Sequence, residues 1–235
     1  MKQRKIYNII VAAGSGSRFG GDTPKQFCLL NGRPVLMHSI ERINQATPGS
    51  TTVIVLNPDH ICLWNELCAT YSFSSPHIIN GGSTRWGSVK NAIDYFVNNN
   101  GDASIITVHD GARPLVNNAL IQRVIDAAST HSGAIPAVAV TDSLRTVNPD
   151  GTSRPIDRSK IRAVQTPQAF NAGQLIKAYK MPFDPAFTDD ASVMVAAGHD
   201  DIALVEGDSH NIKITLHDDL AIASIFLANE VTANS

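Results

Sequence analysis

From Ile6 to Val140 the chain alternates short apolar runs with segments of helical spacing, and few folds accommodate that rhythm. Ile6–Val11 is continuously apolar apart from Asn8, the pattern of a strand covered on both faces. Pro34–Gln45 places Val35, Met37, Ile40 and Ile43 at helical spacing, with Pro34 at the first turn. Thr52–Leu56 reads as the next strand, and Asn57-Pro58 as the capped start of a helix to about Tyr71. His77–Asn80 is a short strand, followed by Gly81-Gly82-Ser83 and a helix to about Asn98. Ser104–His109 and Ala134–Val140 are strands flanking a helix from Asn117 to about His131. Repeated βα units of this size predict an α/β fold with a doubly wound, mostly parallel sheet.

After Val140 the rhythm breaks. Residues 143–156 read as two short polar-faced strands around Asn148-Pro149-Asp150-Gly151, a strong turn signal. A lone hairpin is marginal in water, so this arm, at about 141–160, is expected to pack outside its own domain, most simply on a second copy of the chain. Ala172–Lys180 and Asp189–Ala197 then read as helices, Ile202–Glu206 and Asn211–Leu216 as strands, and Asp218–Asn229 as an amphipathic helix. Residues 1–235 thus read as a single domain carrying an arm.

Composition limits the partners. The 19 Lys+Arg and 21 Asp+Glu nearly cancel, which excludes a general attraction for nucleic acid or acidic membranes, so any bound anion must be held by locally focused positive charge. Cys28, Cys62 and Cys68 form no C-x-x-C pair and no disulfide framework, consistent with a reducing compartment. The opening MKQRKIYNIIVAAG puts basic residues before an apolar run, but that run is short and leads straight into glycines, so it reads as a buried strand rather than a leader. No run approaches the ~20 apolar residues of a membrane span, and the expected location is the cytoplasm.

Three strand-to-helix junctions carry the chemistry. Ala12-Ala13-Gly14-Ser15-Gly16-Ser17-Arg18-Phe19-Gly20, running on to Pro24-Lys25-Gln26, leaves backbone N–H groups free to approach a phosphate and adds two cations. Phosphoryl or nucleotidyl transfer needs that arrangement, because its barrier is mostly charge accumulating on oxygen. The spacing is G-x-G-x-x-x-G, no ribose-binding acid follows about 20 residues on, and no Gly-Lys-Ser/Thr is present, so neither a dinucleotide fingerprint nor a Walker loop fits. A purely structural turn explains the glycines but leaves Arg18 and Lys25 without a purpose. Gly81-Gly82-Ser83-Thr84-Arg85-Trp86-Gly87-Ser88-Val89 is the second junction; Gly82 and Ser88 have the polar groups to read a pyrimidine, while Ser83 also reads as a plain N-cap and Arg85 as a surface charge. In the third, Val108-His109-Asp110-Gly111-Ala112-Arg113-Pro114, Asp110 stands where an α/β enzyme places a magnesium ligand, or merely pairs with Arg113. His109 reads as a hydrogen-bonded structural residue, and no Ser-His-Asp or Cys-His grouping is legible. Asp157-Arg158, Gln165-Thr166-Pro167-Gln168, Thr188-Asp189-Asp190 and Asn211-Ile212-Lys213 are weaker signals that add two cations and two hydroxyls.

Taken in order, A-A-G-x-G-x-R, P-K-Q, G-G-x-x-R-x-x-S-V, H-D-x-A-R-P, D-R, Q-T-P-Q, T-D-D-A and N-I-K-[IV]-T make the chain resemble the 2-C-methyl-D-erythritol 4-phosphate cytidylyltransferase family over roughly residues 6–228. The resemblance implies a Rossmann-like nucleotidyltransferase fold, a homodimer joined through a β-arm, CTP and methylerythritol phosphate as substrates, and Mg²⁺ as cofactor. Position by position it implies that Arg18 and Lys25 stabilise the transition state at the α-phosphorus, and that Ala12, Ala13, Gly14, Gly82, Ser83, Ser88 and Gly111 line the cytidine site. It implies Asp110 at the metal and the substrate hydroxyl, with Arg113 beside it among the substrate-binding residues. Arg158, reaching across from a second copy, and Lys213 would hold the sugar phosphate, assisted by Thr166 and Thr188. Ser83 stands where some members carry an acid, and Gly111 replaces a commoner alanine. The alternatives are a ribitol 5-phosphate cytidylyltransferase, with the same chemistry on another polyol, and a non-catalytic nucleotide-binding protein.

Overall fold

The computed structural model describes residues 4–14, 19 and 23–233. Strand β1 (Ile6–Ala12) is followed by a two-residue hairpin, β2 (Leu29–Leu30) and β3 (Arg33–Pro34), and by helix α1 (Val35–Ala46). Then come β4 (Thr51–Leu56), α2 (Ile61–Thr70), β5 (His77–Asn80), α3 (Arg85–Asn98), β6 (Ile105–Asp110), α4 (Asn118–Ala128) and β7 (Gly133–Ala139). Asn57 caps a 3-10 turn that leads into α2, and Asn117 caps α4 by accepting the Leu120 N–H at 2.8 Å. Each predicted strand and helix to this point forms, within a few residues of its expected ends.

The arm is β8 (Arg145–Val147) paired with β9 (Ser153–Pro155), turning at Gly151 with φ +82°. It belongs to no other sheet, and Val147 is 74% exposed, far more than a side chain packed on its own domain. The remaining elements are β10 (Arg162–Val164), β11 (Gln168–Asn171), α5 (Ala172–Ala178), α6 (Asp190–Ala196), β12 (Ile202–Glu206) and α7 (Asp218–Ala233).

In the main sheet β5, β4, β1 and β6 run parallel, with β1 between β4 and β6. The chain therefore crosses from one side of β1 to the other between β5 and β6, so β1 and β6 flank the switch point. β11 lies antiparallel between β6 and β7; β10 continues along the same edge of β7, and β12 pairs parallel with its other edge. Ile10, Ile54 and Leu56 pack on α1, α2 and α4, whereas Ile9, Val53 and Val55 meet α3, α5 and α6 on the opposite face. The alternation follows from the strand period of two. Asn8, the polar interruption in β1, spends its amide on Thr47, Ser50 and Thr52 and accepts from Thr107 at 2.7 Å, so it is buried with its hydrogen bonds made.

One expectation needs correction, and two strands, β10 and β11, form where none was expected. The strand at Asn211–Leu216 does not form; the segment crosses the carboxyl ends of the sheet, and Ile214 N–H donates to Ala112 O, outside any strand ladder. Its sequence imitates a strand because Ile212, Ile214 and Leu216 alternate with polar residues, but burial does not alternate: Asn211 and Ile214 are buried while Lys213 and Leu216 are exposed. The antiparallel β10 and β11, by contrast, are too short and compositionally mixed to announce themselves beside Pro167.

Candidate active site

A cavity of about 470 Å³ opens at the carboxyl ends of β1, β4, β5 and β6. That is where open α/β sheets bind ligands, and the volume suits a nucleotide-sized molecule. Its walls include Ala12, Ala13, Gly14, Lys25, Gly82, Ser83, Ser88, Asp110 and Lys213, nine of the residues proposed from sequence. Arg18 lies outside the described residues.

Local hydrogen bonds explain how each wall is held. Lys25 sits on a 3-10 turn whose next residue, buried Gln26, donates its amide to Ala12 O at 2.9 Å, tying the P-K-Q segment to the end of β1. On the opposite wall, Thr84 is the N-cap of α3, accepting from Gly87 N–H at 2.9 Å, which leaves Ser83 exposed on the cavity rim. Ser88 accepts from Gly82 N–H at 3.1 Å and donates to Thr84 O, so it shapes the loop as well as lining it. Gly81 is required by close approach, since a Cβ there would lie 2.5 Å from the Ala13 Cβ.

Gly111 is buried behind the wall and joins β6 to β1 through its N–H to Val11 O at 2.8 Å. Thr166 also lies behind. Its hydroxyl oxygen accepts Asp110 N–H at 3.0 Å and contacts His109 Nδ1 at 3.1 Å. His109 Nε2 faces Arg113 O at 3.1 Å, and a carbonyl only accepts, so Nε2 carries the proton and Nδ1 accepts from Thr166. Burial pushes His109 down to about 4, which keeps it neutral and structural, as its sequence context indicated. The Q-T-P-Q segment clamps three neighbours. Gln165 holds the backbone at Asp208, Asn211 donates to Thr166 O, and Gln168 donates to Asp189 at the N-cap of α6.

Electrostatics centre on Asp110. Lys213 lies 2.8 Å from its Oδ2 and Arg113 3.6 Å, while Arg85 Nε is 3.5 Å from Oδ1. Burial disfavours the Asp110 carboxylate, yet Arg85, Lys213 and Arg113 outweigh it and hold the group ionised, well below the usual carboxylate range. Arg113 donates to Asn211 O at 2.7 Å and so also sets the path of the strand-like segment that delivers Lys213. Arg85, which sequence left as a surface charge, is the residue missed. Its signal was its position: a cation at the first turn of a helix opposes the helix dipole and requires compensating carboxylates.

Two proposed residues lie away from this cavity. Thr188 is exposed just before α6, and Arg158 is exposed beyond the arm, donating to Thr141 O of its own chain. Among the described residues no cluster of three or more His, Cys, Asp or Glu side chains is placed to hold a metal alone, and no helix is long and apolar enough to cross a membrane.

Residues 6–229 match the family model of 2-C-methyl-D-erythritol 4-phosphate cytidylyltransferase. A protein of that name from Porphyromonas gingivalis is 41% identical over 230 residues, covering 97% of this chain and all of its own length. The one from Bacillus thuringiensis is 36% identical over 94% of this chain and 98% of its own. Among solved structures, the Francisella tularensis 2-C-methyl-D-erythritol 4-phosphate cytidylyltransferase superposes with a TM-score of 0.76 at 29% identity, covering 94% of this chain and 99% of that one. The bifunctional enzyme of Campylobacter jejuni matches with a TM-score of 0.77 at 28% identity, over 92% of this chain and 53% of that longer one.

Proposed function

This chain belongs to the 2-C-methyl-D-erythritol 4-phosphate cytidylyltransferase family, and from that premise we propose how its own residues carry the reaction. The enzyme transfers CMP from CTP to 2-C-methyl-D-erythritol 4-phosphate, giving 4-diphosphocytidyl-2-C-methyl-D-erythritol and pyrophosphate in the non-mevalonate isoprenoid route. A phosphate oxygen of the sugar attacks the α-phosphorus of CTP. One P–O bond forms, the bond to the β-phosphate breaks, and pyrophosphate leaves with that electron pair. The nucleophile is already an anion, so no general base is required.

The observation that carries the reading is the convergence of Lys25, Arg85 and Lys213 with Asp110 on one cavity at the switch point. Two polyanions must be brought together there, and preorganised cations lower the barrier by meeting charge as it develops. Ala12, Ala13, Gly14 and the Gly82–Ser88 loop receive the cytidine, with Gly111 supporting them from behind. The triphosphate is the charge that Lys25 meets from the cavity wall and that Arg18 is assigned to stabilise. Asp110, kept ionised, accepts from a polyol hydroxyl, and Lys213 turns from Asp110 to the sugar phosphate. Arg113 and Thr166 keep Asp110 in place, and Thr188 serves the far end of the polyol.

Magnesium fits this donor set together with the nucleotide. Among the described residues Asp110 is the one carboxylate lining the cavity, and a single carboxylate plus phosphate oxygens is a common way to hold Mg²⁺. The bound ion would neutralise charge on the triphosphate. We also place Arg158 at the active site of a second copy. A two-stranded arm with an exposed Val147 and no contact sheet of its own calls for an external partner, and a homodimer supplies it by symmetry. Use of CTP and the three free cysteines support a cytoplasmic location.

The test is pyrophosphate release with CTP and Mg²⁺, comparing methylerythritol 4-phosphate with ribitol 5-phosphate. Strong preference for the first is expected. Preference for the second overturns the substrate, and inactivity with both overturns the reaction.

A further inference from the structure

Asp190 is completely buried, yet its partner Arg85 reaches the open cavity. The Asp190 Oδ2 accepts from Arg85 Nη2 at 2.7 Å, and its Oδ1 accepts from the hydroxyl of Tyr179 at 2.5 Å. Arg85 then presents Nε to Asp110 Oδ1 at 3.5 Å. One guanidinium therefore bridges two carboxylates, one sealed in the protein and one facing the substrates. Burial works against the Arg85 charge, but Asp190 and Asp110 more than offset it, so it stays protonated. The Tyr179 ring is itself stacked on Trp86 at 5.7 Å and buried, which fixes the hydroxyl that holds Asp190.

We propose that Asp190, braced by Tyr179, is a positioning residue that holds Arg85 back from Asp110 and so keeps the Asp110 carboxylate available to the polyol substrate and to Lys213. A bidentate arginine–carboxylate pair is the favoured geometry when nothing else competes. Asp190 competes. It takes the Nη2 end of the fork and leaves Asp110 only the longer contact through Nε. With the Asp190 charge gone, Arg85 closes onto Asp110 and occupies oxygens the substrate needs. A fold-stabilising ion pair alone does not account for this arrangement, because buried pairs contribute little net stability against apolar replacements, whereas a shared guanidinium fixes an orientation. The inference rests on the cavity being the cytidylyltransferase site.

The experiment is steady-state kinetics on Asp190→Asn, Tyr179→Phe and Arg85→Lys, with active-site concentration measured by CTP binding. Asp190→Asn is expected to raise the KM for methylerythritol phosphate about tenfold or more while the KM for CTP stays within about twofold, since a displacement of about 1 Å is costly at a reacting centre. Tyr179→Phe, which keeps the stacked ring, shifts the same constant in the same direction by less. Arg85→Lys with Asp190→Asn is expected to cost less than the product of the single effects, because a lysine cannot bridge both carboxylates. A purely structural Asp190 would lower the fraction of binding-competent enzyme and leave both KM values at wild type, which overturns the proposal. Equal rises in both KM values overturn it too. If wild-type enzyme turns over neither polyol phosphate, the cytidylyltransferase reading falls first and this proposal with it.

Discussion

The Asp110–Lys213 ion pair is expected to be sharply unequal when its two ends are removed in turn. At 2.8 Å it looks like an ordinary salt bridge, but the Asp110 side chain is 11% exposed and that of Lys213 is 40% exposed. Lys213→Ala removes a half-solvated cation and leaves Asp110 with Arg85 and Arg113, so the stability change should stay within about 1 kcal/mol. Asp110→Asn leaves three cations without their common partner. Lys213 swings to water and Arg85 keeps Asp190, so the stranded charge is Arg113, whose side chain is also 11% exposed. Breaking a buried pair from one side costs about 3–5 kcal/mol, and one stranded cation puts the cost near about 3 kcal/mol. At about 2.1 cal/mol/K per residue, unfolding 235 residues carries roughly 0.5 kcal/mol/K, so Tm should fall by roughly 6 °C for Asp110→Asn and by less than about 2 °C for Lys213→Ala. Scanning calorimetry with and without CTP checks both, since the triphosphate supplies anionic charge and should recover part of the Asp110→Asn loss. Equal shifts for the two variants, or a more stable Asp110→Asn protein, would refute the reasoning.

Further outcomes follow from the same geometry. Lys25→Ala should lower kcat by about 10²–10³ with a smaller effect on CTP affinity, measured by single-turnover pyrophosphate release, and unchanged turnover would remove Lys25 from the transition state. His109, neutral in the fold down to about 4 but free to protonate near 6.5 when unfolded, makes the unfolded chain the better proton binder between those values. Stability should therefore be whole above about pH 6.5 and decline by up to roughly 3 kcal/mol toward pH 4, a slope that His109→Gln flattens in urea titrations. Mixing inactive Arg158→Ala and Lys25→Ala proteins should restore about a quarter of wild-type activity, because half of a random dimer population then holds one intact site. If the mixture stays inactive after subunit exchange, Arg158 does not serve a second copy.

The parallel half of the fold was legible because buried parallel strands are continuous apolar runs and their crossover helices carry caps and 3.6-residue spacing, signals that need no partner to be read. Strands β10 and β11 were not, since Arg162–Val164 and Gln168–Asn171 gain their regularity only from β6 and β7, residues far away in sequence. Asn211–Leu216 erred in the other direction, its apolar residues alternating in sequence while the side chains it buries, Asn211 and Ile214, lie three apart and outside any ladder.

At the site, the loops directly following β1, β5 and β6 could be placed together because switch-point geometry dictates it. Arg85 shows where that logic stops. A single arginine in a sequence is neutral information, and what converts it from a surface charge to part of the site is the buried Asp190, 105 residues away, together with Asp110. The T-D-D-A and Q-T-P-Q segments show the same dependence, because their value lies less in touching ligand than in clamping one another. Gln168 holds Asp189 at the start of α6, which places Asp190 beneath Arg85, while Thr166 holds the backbone of Asp110 on its other side. Asp110 is therefore fixed from two directions by residues that carry no charge chemistry of their own, and the sequence motifs that look weakest individually are the ones that determine where its two oxygens point.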